Sequence, residues 1–400
     1  MTELATLDPG FSWRVEGLEW PVVTDVGAGL AGVVAGETRV VWLDPSSGML
    51  CYRGVPIEDL TVGSDFEEAA HLLITGREAA EDAGAFVLFR DGLRSSRRLP
   101  SDVVALVRDL DPGTHPTRVL RAGISALGCH ELAAGDDLAG DRHWRELRIL
   151  GQVVGVVAEL ACHRRGRPSP APPPGESLAE GLLGALNGRQ PAPHEVRALD
   201  LVWTLYAAHG LDAPTFTSII VASTLADPYY NVVAGLSALR GPRFGGAGER
   251  VVEQLLALPS AAAAGAWVES TLASGGVIAG FGHREYRMPD PRVVTLRKTC
   301  ASLARRGGRG ELFDRARAVE EEASRRLAAK GVYVNINLYG ALALYLLGAA
   351  ADEVPVLVAA ARTAGLVALV RESLESIRLV RPLSRYVGPG ERRLEERRHG

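Results

Sequence analysis

Gly280-Phe281-Gly282-His283-Arg284-Glu285-Tyr286-Arg287, followed by Asp290-Pro291-Arg292, is the stretch on which the reading of this chain turns. It sets an imidazole and three guanidinium groups within ten residues, between glycines and prolines. Guanidinium forks match the geometry of carboxylate and phosphate, so this density points to an anionic ligand. A solvated basic loop is the alternative, and the stretch alone does not separate the two.

Downstream, Val332-Tyr333-Val334-Asn335-Ile336-Asn337-Leu338-Tyr339-Gly340 places two carboxamides in an otherwise apolar segment. Buried amides need partners, so Asn335 and Asn337 are structural hydrogen-bonders or ligand contacts. Upstream, Gly241-Pro242-Arg243-Phe244-Gly245-Gly246-Ala247-Gly248 reads as a structural turn or as a loop whose backbone approaches a ligand at a helix start. His209, in Tyr206-Ala207-Ala208-His209-Gly210, taken alone is a satisfied core histidine. Neither His209 nor His283 has a Cys, His or carboxylate at ligand spacing, so no metal site is expected.

The 400 residues suggest two or three cores. Hydrophobic residues make up 47% and charged ones 23%, the balance of a soluble globular protein. A net charge of −4 supplies no field to attract nucleic acid or anionic lipid, so neither is an expected partner. The longest apolar stretch, Ala341 to Ala351, is about half of a membrane span. Residues 1–10 lack a basic region before an apolar core, so no signal peptide and a cytoplasmic location are expected. Cys51, Cys129, Cys162 and Cys300 are far apart and read as buried thiols in a reducing compartment.

Most segments read as helix. Phe66–Thr75 has helical spacing, Thr215–Leu225 opens with a capping-type Thr, and Ala341–Leu347 and Val356–Val370 are apolar nearly all round. Val40–Leu43 and Met49–Tyr52 flank a turn at Asp44–Gly48 and predict a hairpin. Arg164 to Gly175 reads as an exposed Pro- and Arg-rich loop, and residues 391–400 as a solvated end. The fold class is mainly α.

Taken together and in order, these stretches resemble the citrate synthase family. Its pattern Gly-Pro-Leu-His-Gly-Gly-Ala stands here as Gly241–Ala247, and Gly-Phe-Gly-His-Arg-Val-Tyr with Asp-Pro-Arg as Gly280–Arg287 and Asp290–Arg292. Pro-Asn-Val-Asp-Phe-Tyr stands as Val334–Tyr339. Gly32–Thr38, Tyr52-Arg53-Gly54, Phe216 with Ala222–Asp227, Ala361–Gly365, and Arg381-Pro382 with Tyr386–Pro389 extend the resemblance over nearly the whole chain after Gly32. It implies a homodimer of two-domain helical subunits: a large domain of residues 1–243 and 343–400, and a small domain of 244–342 that closes over ligands in the cleft.

By the same resemblance, His209 and His283 match the histidines nearest oxaloacetate, and Arg292, Arg362 and Arg381 the carboxylate-binding arginines, with Arg381 reaching across from the partner subunit. Arg287 matches a contact to a phosphate of coenzyme A, the co-substrate as its thioester, and Gly280 and Gly282 belong to that loop. No permanently bound cofactor is implied.

Two positions depart from the pattern. The family's base, an Asp, is Asn337, and the His that steadies the enol is Phe244. A carboxamide has no basic lone pair at neutral pH, and a phenyl ring donates nothing. Loss of a general base is worth roughly 10²–10⁴ in rate and loss of an oxyanion donor roughly 10²–10³. Arg243 and Glu285 replace the usual Leu and Val; they are compensating groups, or their side chains face solvent. Tyr206 stands where members commonly carry another His.

Three functions follow. The first is an acyltransferase joining an acyl-CoA-derived nucleophile to a 2-oxo acid by a modified route, decarboxylation of a malonyl-type thioester being one. The second is an inactive homologue that binds a citrate-like acid or acts as a regulatory subunit. The third is a lyase, hydrolase or cyclase of a biosynthetic pathway on the same fold.

Overall fold

The computed structural model describes residues 29, 30, 32–130, 144–171, 173, 175–241, 244–376, 378–384 and 386–390. Residues 1–10 and 391–400 and Arg243, each read above, lie outside them. Three short strands open the described chain: β1 Val41–Asp44, β2 Met49–Tyr52 and β3 Val55–Pro56. Sixteen α-helices follow among the described residues. The first eight are α1 Ile57–Gly63, α2 Phe66–Thr75, α3 Ala83–Ser95, α4 Ser101–Asp109, α5 Pro116–Leu127, α6 Trp144–Arg164, α7 Leu178–Asn187 and α8 Pro193–Tyr206. Then come α9 Ala213–Ala222, α10 Pro228–Leu239, α11 Gly246–Ala257 and α12 Ala264–Ala273. The last four are α13 Arg292–Arg306, α14 Gly310–Leu327, α15 Ile336–Leu346 and α16 Val354–Leu374.

The hairpin forms where the alternation predicts it, with β1 and β2 antiparallel and Val41 opposite Tyr52. Its turn is closed by Asp44, whose carboxylate accepts the Ser46 hydroxyl at 2.6 Å and the Ser47 hydroxyl at 2.7 Å. Those bonds hold Asp44 down at about 2. β3, a two-residue strand on the far side of β2, is too short to show a period in sequence.

Caps set the helix starts. α2 spans the predicted residues because Asp65 and Glu68 form a reciprocal capping box and Gly76 takes the left-handed turn at its end. α9 starts earlier than expected. Its cap is Asp212, which accepts the Thr215 N–H at 3.0 Å, and Thr215 lies inside the first turn.

α16 is the central helix, and every residue from Val354 to Val370 is buried. It packs against α2, α6, α8, α9 and α10, while α11, α13 and α14 pack on α15. The stretch Ala351–Leu374 is long and apolar enough to cross a membrane, and its most apolar window lies wholly inside the fold. As an apolar helix it is longer than the stretch 341–351 that the sequence singles out as unbroken. Arg362 in its middle is what hides it from a search for unbroken apolar residues.

Two other expectations are corrected. Arg164 and Arg165 do not lie free in a solvated loop: they fork onto Asp352 at 2.7 and 3.0 Å and onto Glu353 at 2.7 and 2.8 Å, anchoring the start of α16. Cys51, Cys162 and Cys300 are buried free thiols, but Cys129 is exposed at the end of α5.

Candidate active site

The end of α8 organises the site. A helix leaves its last carbonyls without intrahelical donors, and each here has a named partner. Tyr52 Oη donates to Thr204 O at 2.9 Å, Arg292 Nη1 to Leu205 O at 3.3 Å and Arg362 Nε to Tyr206 O at 2.8 Å. The N–H of Gly365 donates to Ala207 O at 3.1 Å. Glycine is required there, since a Cβ at 365 would stand 2.4 Å from that same oxygen. Helix-end carbonyls carry partial negative charge, which favours the two guanidiniums. His209 follows two residues later.

The Gly280 stretch is fastened to the segment before α15. Asn335 N–H donates to Gly280 O at 2.8 Å, Gly282 N–H to Tyr333 O at 2.7 Å, and Phe281 bridges Val334 antiparallel. Gly280 and Gly282 have φ of 90° and 87°, which side chains rarely adopt. The Asn335 carboxamide works at both ends: Nδ2 donates to Gly282 O at 2.7 Å, and Oδ1 caps α15 by accepting the Asn337 N–H at 2.9 Å. Asp290 is the hub. Its carboxylate accepts from Arg292 Nε at 2.8 Å, Arg292 Nη2 at 2.7 Å and the Ile336 N–H at 3.2 Å.

His209 and His283 meet edge to face, with ring centroids 5.1 Å apart, and Tyr286 stacks on His283 at 4.5 Å. His283 Nδ1 accepts the N–H groups of Glu285 and Tyr286, both at 3.0 Å. Its one ring proton is therefore on Nε2. Burial and then the Arg292 charge hold His283 down at about 4, and the same two causes hold His209 well below the usual histidine range. Both rings are neutral at physiological pH. Arg292 is buried, and although burial opposes its charge, Asp290 keeps the guanidinium ionised. Burial lowers Arg362 to about 10, still protonated, with Nη1 donating to Asp212. Two buried atoms at this place, His209 Nε2 and Tyr286 Oη, have no hydrogen-bond partner among the described residues. Such atoms are expected where a ligand completes the set.

Asn337 sits in the first turn of α15, partly buried, and its Oδ1 accepts the Tyr206 hydroxyl at 3.2 Å. The structure thus gathers His209, His283, Arg292, Arg362 and Asn337 around the end of α8 and the start of α15. Phe244 lies ahead of α11, partly buried against the apolar core. Arg287 lies at the rim, exposed, donating to His283 O at 3.4 Å. Glu285 has its backbone in the site and its side chain in solvent. Arg381 is in the exposed segment after α16, its Nη1 donating to Pro382 O at 3.0 Å, with no hydrogen bond to the clustered residues among the described ones. The anchoring roles of Asp290 and Asp212, the unpartnered Tyr286 hydroxyl and the Tyr206–Asn337 bond were not read from sequence. Two surface cavities, about 350 Å³ beside His115, Arg118 and Arg240 and about 530 Å³ beside Lys298, Phe313 and Arg317, include none of the clustered residues.

Comparison with known proteins agrees with this fold. The family model for the citrate synthase C-terminal domain matches residues 29–383. A citrate synthase of Acidithiobacillus ferridurans is 34% identical over 91% of this chain and 96% of its own length. A 2-methylcitrate synthase of Corynebacterium glutamicum is also 34% identical, over 92% and 96%. The citrate synthase of Thermoplasma acidophilum, solved as a ternary complex with carboxymethyl coenzyme A and oxaloacetate, superposes with a TM-score of 0.86 at 25% identity, covering 94% of this chain and all of that one. With a shared fold and a family match over most of its length, the chain belongs to the citrate synthase family.

Proposed function

We propose that the protein condenses a carbon nucleophile derived from an acyl-CoA with a 2-oxo dicarboxylate such as oxaloacetate, by a route that does not rest on a carboxylate base at position 337. The observation that carries this reading is the imidazole pair, His209 buried and His283 partly buried beside it. His283 is neutral with its proton on Nε2, so it can donate to a ketone oxygen and give up that proton as the oxygen becomes an alkoxide. His209 Nε2 waits unpartnered 5.1 Å away, ring to ring, and Arg292 and Arg362 supply fixed positive charge for carboxylates. Relatives named citrate synthase and 2-methylcitrate synthase, and a fold neighbour that binds oxaloacetate with a coenzyme A analogue, support the substrate classes.

On this reading the segment 244–342 closes over the ligands, Arg287 meets a phosphate of coenzyme A, and the working unit is a cytoplasmic homodimer in which Arg381 reaches the neighbouring site. Calorimetry with oxaloacetate, followed by thiol release across acetyl-, propionyl- and malonyl-CoA, tests it. Binding in the micromolar range with thiol release from at least one thioester is expected. Binding without turnover of any thioester replaces the enzyme with a ligand-binding homologue, and no binding removes the substrate assignment.

A further inference from the structure

Tyr206 and Asn337 are 131 residues apart in the chain, yet the Tyr206 hydroxyl donates to Asn337 Oδ1 at 3.2 Å. Ile336 O is the other acceptor in reach, farther off at 3.5 Å. The slot for this hydroxyl exists because residue 340, one turn along α15, is glycine. A Cβ there would stand 2.3 Å from the hydroxyl oxygen. The Tyr206 backbone is fixed as well, its carbonyl held by Arg362 Nε. With Oδ1 held by that hydroxyl, the two hydrogens of Nδ2 are what the Asn337 amide can donate to a ligand, and one lone pair of Oδ1 stays open as an acceptor. Position 337 is therefore a donor, at a helix start where the dipole favours developing negative charge. Asp290, the nearby carboxylate, is committed to Arg292 and the Ile336 N–H and is not placed to act as a base.

Resting on the condensing function proposed above, we infer that Asn337 Nδ2 holds the thioester oxygen as it becomes an enolate, that Tyr206 is its positioning residue, and that the acyl donor carries a carboxylate on its α-carbon. Such a donor needs no base. The bond between the carboxyl carbon and the α-carbon breaks, CO2 leaves, and the electron pair passes into the thioester as an enolate whose oxygen accepts from Nδ2. The α-carbon then bonds to the ketone carbon of the 2-oxo acid, and the ketone oxygen takes the proton from His283 Nε2. A donor on the departing carboxylate would steady the ground state, whereas one on the thioester oxygen strengthens as charge arrives.

The test supplies oxaloacetate with either acetyl-CoA or malonyl-CoA labelled with ¹³C in its free carboxylate, and follows labelled CO2 and condensed product by mass spectrometry. Labelled CO2 and product appear together in equal amounts, with acetyl-CoA about 100-fold slower or worse. Asn337→Ala lowers kcat for malonyl-CoA by about 100-fold, the cost of an oxyanion donor. Asn337→Asp, which keeps the shape, also lowers malonyl-CoA turnover and raises acetyl-CoA turnover above the parent's. Tyr206→Phe lowers kcat about 10-fold while oxaloacetate affinity and Tm stay at the parent's values. Equal rates from acetyl- and malonyl-CoA leave the condensing function standing and overturn this inference. Product from neither thioester overturns this inference, and product from neither these nor propionyl-CoA overturns both. A Tyr206→Phe variant that loses oxaloacetate affinity as much as turnover makes Tyr206 structural and overturns its positioning role.

Discussion

At the scale of single residues, the site depends on charges that are buried in pairs. Asp290 and Arg292 are both nearly inaccessible, so removing one leaves the other charged and unpaired. Asp290→Asn should cost about 3–5 kcal/mol, read by denaturant unfolding, and should weaken oxaloacetate binding by freeing the guanidinium from its fixed plane. His283 gives a pH dependence of known sign. Its folded value of about 4 lies below the ordinary 6.5, so the unfolded chain takes up a proton that the folded chain refuses as pH falls through that window. The stability is whole above pH 6.5 and declines toward pH 4. Replacing His283 with Gln should flatten the fall in Tm across that window, and an unchanged slope would contradict the burial argument. Sequence made His283, Arg292 and Asn337 visible because imidazoles, guanidiniums and amides are costly to bury without a task. It did not show that Tyr206 would meet Asn337, because a contact across 131 residues leaves no local pattern.

At the scale of elements, apolar spacing alone located α2, and capping chemistry, there the Asp65–Glu68 box, was not read from sequence. It was missed at α9, where Asp212 also serves Arg362 and two residues separate it from the first periodic position. Likewise Arg164 and Arg165 look like loop charges until the start of α16 supplies Asp352 and Glu353 from far along the chain. Asp200, on α8, shows the opposite case, a buried carboxylate with little support. Burial and then the neighbouring Asp65 raise it to about 7, and its one hydrogen bond among the described residues is a long 3.4 Å contact from the Phe66 N–H at the start of α2. The folded state therefore holds a proton that the unfolded state releases above about pH 4, and stability is lost as pH rises toward 7. Asp200→Asn keeps the acceptor and removes the charge. Its Tm gain over the parent should be small at pH 4 and grow by pH 8, and a gain independent of pH would assign the effect to packing instead.

For the whole molecule, the mainly helical architecture and the family were readable because ordered motifs recur from Gly32 to Pro389, and the structure places the central ones around a single helix end. What sequence left open is the chemistry at positions 244 and 337, where the resemblance sets a phenyl ring and an amide against the family's donor and base. The most direct measurement is the initial rate of thiol release from acetyl-CoA with saturating oxaloacetate, in the parent and in a Phe244→His, Asn337→Asp double variant. The expected result is a parent rate at background and a double variant at least about 100-fold faster. A parent that makes citrate briskly from acetyl-CoA, or a double variant as inert as the parent, contradicts the account.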